Sequence, residues 1–272
     1  MSKPSLLLAA GCSWVAGKSI DCDPSSVTID YDHVEDPAIV KQYSFSALLQ
    51  KQLGLDQLII LAEHGSNNDT QLKKIVAFID DNYDNYSSIF VLWGVTTVYR
   101  WEMYLSDTDK VESIQHNRVR HNPNLTHVAK YYFSNYWSKD YELEKLGKNI
   151  LLLNGYLNNL NINHLFFNSF NSVTDVEFSV NNTSPLHFYK IKESHNDMLS
   201  FLCTKNNINI STSSVPFLNL INPEGTQYNT NSVIELQKQG LLDKATAHPT
   251  IKAHNMIANE LYKYIEEQYE RI

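Results

Sequence analysis

The run Leu6-Leu7-Leu8-Ala9-Ala10, followed by Gly11-Cys12-Ser13-Trp14-Val15-Ala16-Gly17, constrains this chain more than any other stretch. Five apolar residues in succession suit a strand covered on both faces, because a half-exposed strand alternates apolar with polar residues. Gly11 and Gly17 permit a sharp exit from that strand. Ser13 then stands just past the carboxyl end of a central strand, where open α/β sheets place their ligands. The plainer reading of such a serine is a turn or helix-cap hydroxyl.

The rest of the chain supplies partners for that strand. Leu58-Ile59-Ile60-Leu61, Ser88 to Trp93 and Leu165-Phe166-Phe167 read as three more strands, with Ile208-Asn209-Ile210 as a short fifth. Between them, apolar residues recur at helical spacing: Tyr43 to Leu53 before the stop at Gly54, Leu72 to Ile79, a long helix from Tyr131 through Leu157, Met198 to Asn206, and Ile251 to Tyr269. Strands alternating with helices imply crossover connections and a parallel sheet. The expected fold is therefore a three-layer α/β/α sandwich with a central parallel sheet of about five strands. Residues 1–272 read as a single domain with insertions near 103–150 and 171–235, and Ile20 to Gln42 and 171–190 read as loops.

Composition narrows the partners. Lys plus Arg total 22 against 30 acidic residues, a net charge of −8, which argues against nonspecific attraction to nucleic acid or an anionic membrane. A neutral or sugar-like substrate fits better. The three cysteines, at 12, 22 and 203, have no metal-type spacing, and their odd number fits no closed disulfide framework, which points to a reducing compartment. No apolar run approaches the roughly 18–20 residues that span a bilayer. Leu8-Ala9-Ala10-Gly11-Cys12 also looks like a lipoprotein cleavage box, but Lys3 and a run ending at Ala10 fall short of a basic n-region and an apolar core of roughly 7–15 residues. A cytoplasmic protein is expected, with a place in a virus-like particle as the other possibility. His116, His121 and His127 do not share one helix face at i and i+4, so neither a metal site nor a cofactor is expected.

The strand leading into Gly11-Cys12-Ser13, with Gly17 beyond, resembles the first block of SGNH (GDSL-type) hydrolases, Cys12 standing where the family often has Asp. The later blocks follow in order. Gly65, in His64-Gly65-Ser66-Asn67-Asn68, comes after the second strand and matches the glycine whose N–H binds the oxyanion. Gly94-Val95-Thr96-Thr97 follows the third strand, with Thr96 where the family has Asn. A hydroxyl can donate one hydrogen bond, and Asn67 or Asn68 can serve from the neighbouring turn. Asp243-Lys244-Ala245-Thr246-Ala247-His248-Pro249 precedes the last helix and resembles the family's Asp…His-Pro loop, although the separation here is five residues where the family has three.

The resemblance implies a serine esterase or O-deacetylase, a carboxylic ester hydrolase working through an acyl-enzyme on acylated carbohydrate or a small ester. It makes Ser13 the nucleophile, His248 the base and Asp243 its orienting acid. The oxyanion donors are then the Ser13 N–H, Gly65, Thr96, Asn67 and Asn68. Trp14 and Arg100 are candidate substrate contacts, Arg100 being as ready to pair with Glu102. The alternative is a scaffold with faded chemistry, serving as a glycan-binding or structural module.

Overall fold

The computed structural model describes residues 2–21, 35–105, 110–115, 118–119, 126–169, 188–189, 197–208 and 231–269. Four parallel strands form the central sheet: β1 (Ser5–Gly11), β2 (Gln57–Ile60), β3 (Ser88–Val95) and β7 (Asn163–Asn168), in the order β2-β1-β3-β7. Leu7 sits between Leu58 and Phe90, and Gly11 lies opposite Gly94. The continuous apolar run of β1 is explained by its two covered faces. Leu7 and Ala9 enter one core with α3 (Phe45–Gln52), α7 (Met198–Lys205) and α9 (Ile251–Gln268), whereas Leu6, Leu8 and Ala10 enter the other with α4 (Asn68–Asn82) and α6 (Lys139–Asn159). This is the α/β sandwich expected, with four strands in the described sheet. Ile208 is not in a strand, and the remainder of the short fifth candidate lies outside the described residues.

Two helical readings change. Residues 37–42, expected as loop, belong to helix α2 (Pro37–Tyr43): the Asp36 side chain accepts the Ala38 N–H at 2.8 Å, and Pro37 occupies the first turn, where its missing N–H costs nothing. The single long helix from Tyr131 is two helices, α5 (Thr126–Asn135) and α6, because Ser138 caps a new N-terminus by accepting the Tyr141 N–H. Between β3 and the next helix a separate antiparallel sheet forms from β4 (Arg100–Leu105), β5 (Lys110–Gln115) and β6 (Arg118–Val119). Trp101 on β4 packs against Tyr132 and Phe133 of α5, so part of the aromatic cluster ties this small sheet to that helix, while Tyr131 and Tyr136 are exposed. Among the described residues no helix is long and apolar enough to cross a membrane.

Two glycines bring the short helix α1 (Ser13–Ala16) onto the sheet. A Cβ on Gly94 would stand 2.5 Å from Val15 Cγ2 and 2.8 Å from both Phe167 Cζ and Ser169 Oγ, and one on Gly11, at φ 144°, would stand 2.7 Å from the Gly94 carbonyl oxygen. Overpacking of this kind costs typically ~1–3 kcal/mol. Gly94→Ala is expected to lower the unfolding free energy by that amount, read as a lower urea midpoint with an unchanged m-value; a midpoint equal to wild type would show that α1 does not depend on the close approach.

Candidate active site

The turn after β1 is closed through the backbone. Cys12 is the N-cap of α1, its carbonyl accepts the Val15 and Ala16 N–H groups at 3.0 Å each, and the Ser13 carbonyl accepts the Lys18 N–H at 2.9 Å. Cys12 contributes no side-chain bond and is fully buried in the apolar core, a place where a carboxylate would lack a polar partner. Ser13 is only 3% exposed and stands two residues past the carboxyl end of β1. Trp14, offered above as a substrate contact, is 2% exposed and belongs to that same core, so it backs the serine turn from behind.

The turn after β2 is organised by the first turn of α4. Gly65 adopts φ 76°, the left-handed region that favours glycine. Gln71 joins two turns at once, its Oε1 accepting the Gly11 N–H at 2.9 Å and its Nε2 donating to Ser66 Oγ at 2.7 Å. Asn68 uses its amide on the end of β3: Nδ2 donates to the Thr96 carbonyl at 2.8 Å, and Oδ1 accepts the Thr96 N–H at 2.9 Å. Asn67 differs from its neighbour. Its Oδ1 caps α4 by accepting the Thr70 N–H at 2.8 Å, which fixes the amide orientation, while Nδ2 is buried and meets no acceptor among the described residues. An unsatisfied buried donor costs about 1–3 kcal/mol.

Thr96 is buried, and its hydroxyl accepts the Arg100 Nη1–H at 3.3 Å; the same Nη1 lies 3.4 Å from the Ser66 carbonyl. Arg100 therefore braces the turns after β2 and β3. Its expected pairing with Glu102 gives way to another arrangement, in which Glu102 takes Lys73 and the Thr70 hydroxyl, both on α4.

His248 lies in a tight loop between the bridge partners Leu242 and Pro249. The five-residue separation from Asp243 is accommodated by a bulge with Ala247 at φ 56°. The Asp243 carboxylate is the hub: Oδ1 accepts the Ala245 N–H at 3.0 Å and the Thr246 N–H at 2.7 Å, and Oδ2 accepts the His248 N–H at 2.8 Å and the Thr246 hydroxyl at 2.5 Å. The carboxylate thus reaches the imidazole through Thr246, whose Oγ1 is 2.6 Å from His248 Nδ1. Two contacts set this loop beside the others. The His248 ring lies 5.7 Å from the ring of His64, centroid to centroid, and Thr246 Oγ1 lies 3.2 Å from Ser19 Oγ, just beyond α1.

His254, in the first turn of α9, has a structural task. Burial, with the nearby His248 adding to it, pushes its pKa down to about 3, and the neutral ring accepts the Phe45 N–H at 3.2 Å through Nδ1 while stacking on that phenyl ring. Among the described residues no group of three or more His, Cys, Asp or Glu side chains is placed to hold a metal ion. His127 stands on α5, and His116 and His121 lie outside the described residues.

A cleft of about 440 Å³ opens beside the first turn of α4. Trp101 and Tyr132, 5.2 Å apart between ring centroids, line it together with Asp69, Lys73, Glu142 and Lys145. Glu102 lines it as well, so three carboxylates meet two ammonium groups: Lys145, 2.5 Å from Asp69 Oδ2, also serves Glu142, and Lys73 serves Glu102. Thr246, Ser19, Gln71 and the distinct duties of Asn67 and Asn68 were not singled out from sequence. Asn67 had one usable signal, its position as a cap residue immediately ahead of a helical apolar pattern.

No protein-family model matches the sequence, and no curated protein matches it. Solved structures similar to it include the psychrotrophic esterase EstA from a Pseudoalteromonas species, inhibited by monoethylphosphonate, at 11% identity and a TM-score of 0.44 over 97% of this chain and 97% of that one. Another is the acetyl xylan esterase Est2A from the rumen bacterium Butyrivibrio proteoclasticus, at 12% identity and a TM-score of 0.45 over 98% of this chain and 65% of that one. Neither likeness bears on what this chain does, and the functional reading rests on its own residues.

Proposed function

We propose that the chain is a serine ester hydrolase of the SGNH type, acting on acylated carbohydrate or a small ester. The observation that supports this reading is the buried Nδ2 of Asn67, in the turn next to the one holding Ser13, which meets no acceptor among the described residues and which a substrate oxyanion would satisfy. In the proposed reaction Ser13 Oγ attacks the acyl carbon and its proton passes to His248 Nε2. The oxyanion is met by the N–H groups of Ser13 and Gly65, by Asn67 Nδ2, and by the Thr96 hydroxyl, which accepts from Arg100 and keeps its own hydrogen to give. Collapse expels the alcohol, protonated by His248, and leaves an acyl-enzyme. Water, deprotonated by His248, then attacks the acyl carbon, releasing the acid and restoring Ser13. Asn68 supports the site by fixing Thr96 and is not itself counted as a donor. Asp243 orients His248. Trp14 has no proposed substrate contact, and Arg100 holds the donors in place.

The carbohydrate part of the proposal draws on the cleft, whose size is that of a small-ligand site and whose mutually paired polar side chains suit a neutral polyhydroxylated group. The same feature favours the second reading, a glycan-binding module without chemistry. Labelling with a fluorophosphonate probe decides between them, because it requires an activated serine. Stoichiometric modification at Ser13 that is lost in His248→Ala is expected. Absence of labelling together with saturable binding of an oligosaccharide would overturn the enzyme in favour of the binding module.

A further inference from the structure

We infer that Thr246 is a positioning residue of the proposed hydrolase, carrying the influence of Asp243 to His248 and fixing which nitrogen of that imidazole is the base. The inference rests on the reading of His248 as general base, and its hydrogen-bond logic comes from the loop itself. The Asp243 carboxylate accepts four donors, three from the backbone and one from Thr246. An ionised carboxylate can only accept, so the hydrogen between Thr246 Oγ1 and Asp243 Oδ2 belongs to the threonine. That hydroxyl has no second hydrogen. Toward His248, 2.6 Å away, it can only accept, and Nδ1 must carry the proton. The acceptor nitrogen of the neutral ring is therefore Nε2, the one a Ser-His mechanism requires.

The remaining lone pair of Thr246 Oγ1 has a donor as well. With its hydrogen given to Asp243, the threonine can only accept from Ser19 Oγ at 3.2 Å, which completes one donated and two accepted bonds. Ser19 has φ 62° and its N–H is held by Glu35 Oε1 at 3.0 Å, itself paired with Lys18. Thr246 thus joins the segment leaving α1, which begins with Ser13, to the loop of the base. When His248 becomes imidazolium, the Nδ1–H bond to a hydroxyl whose dipole is pinned by a carboxylate grows stronger, and no proton need move beyond the ring.

A role confined to folding the loop predicts something different. The loop is shaped by the backbone donors to Asp243, by the Asp243 N–H bond to the His248 carbonyl at 2.9 Å and by the Leu242–Pro249 bridge, none of which uses the Thr246 hydroxyl. Thr246→Val should keep these and lose only the link. The titratable groups set around the imidazole by the described elements are Asp243 through Thr246, His64 from the turn after β2, and neutral His254 on α9. Removing an acceptor from Nδ1–H disfavours the imidazolium, so the base stays neutral to lower pH and the acid limb of the rate profile moves down.

The experiment measures p-nitrophenyl acetate hydrolysis against pH for the full chain, for Thr246→Val and for Thr246→Ser, alongside the ¹⁵N spectrum of the wild-type histidines. Thr246→Val is expected to lower kcat by roughly 10- to 100-fold with KM little changed, the scale of a misaligned catalytic group, and to shift the acid limb downward; Thr246→Ser restores both. The His248 resonances should show the Nδ1–H tautomer. A valine variant with wild-type kcat and pH profile, equal damage from valine and serine, or an Nε2–H tautomer in the wild type would each overturn the inference. The tautomer reads out the Thr246 link even if the valine variant fails to fold or the wild type proves inactive, an inactivity that would refute the hydrolase reading separately.

Discussion

Ser13→Ala is expected to reduce hydrolysis of p-nitrophenyl acetate by on the order of 10⁴- to 10⁶-fold in kcat, His248→Ala by a comparable factor, and the double variant by no more than either alone. The non-additivity is the informative part. A nucleophile and its base act as a unit, so once the hydroxyl is gone the imidazole has no proton to take. The substitution at Ser13 is structurally mild, because the turn of α1 is closed by backbone bonds to the carbonyls of Cys12 and Ser13. Thermal unfolding of Ser13→Ala should therefore stay close to wild type, which separates lost chemistry from lost fold. Steady-state kinetics on the purified variants check the expectation, and a Ser13→Ala protein that hydrolyses the ester at the wild-type rate would end the acyl-enzyme proposal.

Asn67→Asp carries the next largest effect. The aspartate keeps an oxygen for the Thr70 N–H and so preserves the cap of α4, with a negative charge where the helix N-terminus favours one. What it loses is the amide hydrogen of Nδ2, and what it adds is charge facing a developing oxyanion. Loss of one such donor typically costs about 10²–10³ in kcat. The expected outcome is a fall of that size with KM nearly constant and with the cap of α4 kept, while the second carboxylate oxygen, buried where Nδ2 was, lowers the melting temperature. Asn67→Ala would lose both functions, adding a cap loss of about 1 kcal/mol to the same kinetic defect. A fully active aspartate variant would remove Asn67 from the oxyanion donors and leave the burden on Gly65, Ser13 and Thr96.

Much of this was legible in the sequence, for reasons that particular residues make plain. The unbroken apolar runs of β1 and β3 announce strands buried on both faces, and the two cores confirm the cause: Leu7 and Ala9 face one helical layer while Leu6, Leu8 and Ala10 face the other. The last helix is equally clear from Ile257, Leu261 and Ile265 at helical spacing, all fully buried. Less legible were features decided by one polar side chain. Asp36 capping Pro37–Tyr43 and Ser138 dividing α5 from α6 are local bonds that compete with periodicity, and periodicity was the signal being read. Least legible was who holds whom across the fold. Nothing in the spacing of Asn67 and Asn68 says that one amide would be spent on Thr96 and the other left without an acceptor, and nothing in Asp243 to His248 says that Thr246 stands between them.

The first turn of α4 has a consequence for how the molecule comes apart. Side chains from this one turn grip three strand exits: Asn68 holds the end of β3, and Gln71 holds both the end of β1 and the turn after β2. Strand ends ordinarily fray singly, opening at little free-energy cost and independently of the interior. Here the amide hydrogens of Gly11 and Thr96 are held by buried side chains of a fifteen-residue helix that packs on the sheet. The floor of the site therefore belongs to the same cooperative unit as the sheet, and heat should extinguish the geometry of the site and the fold in a single step.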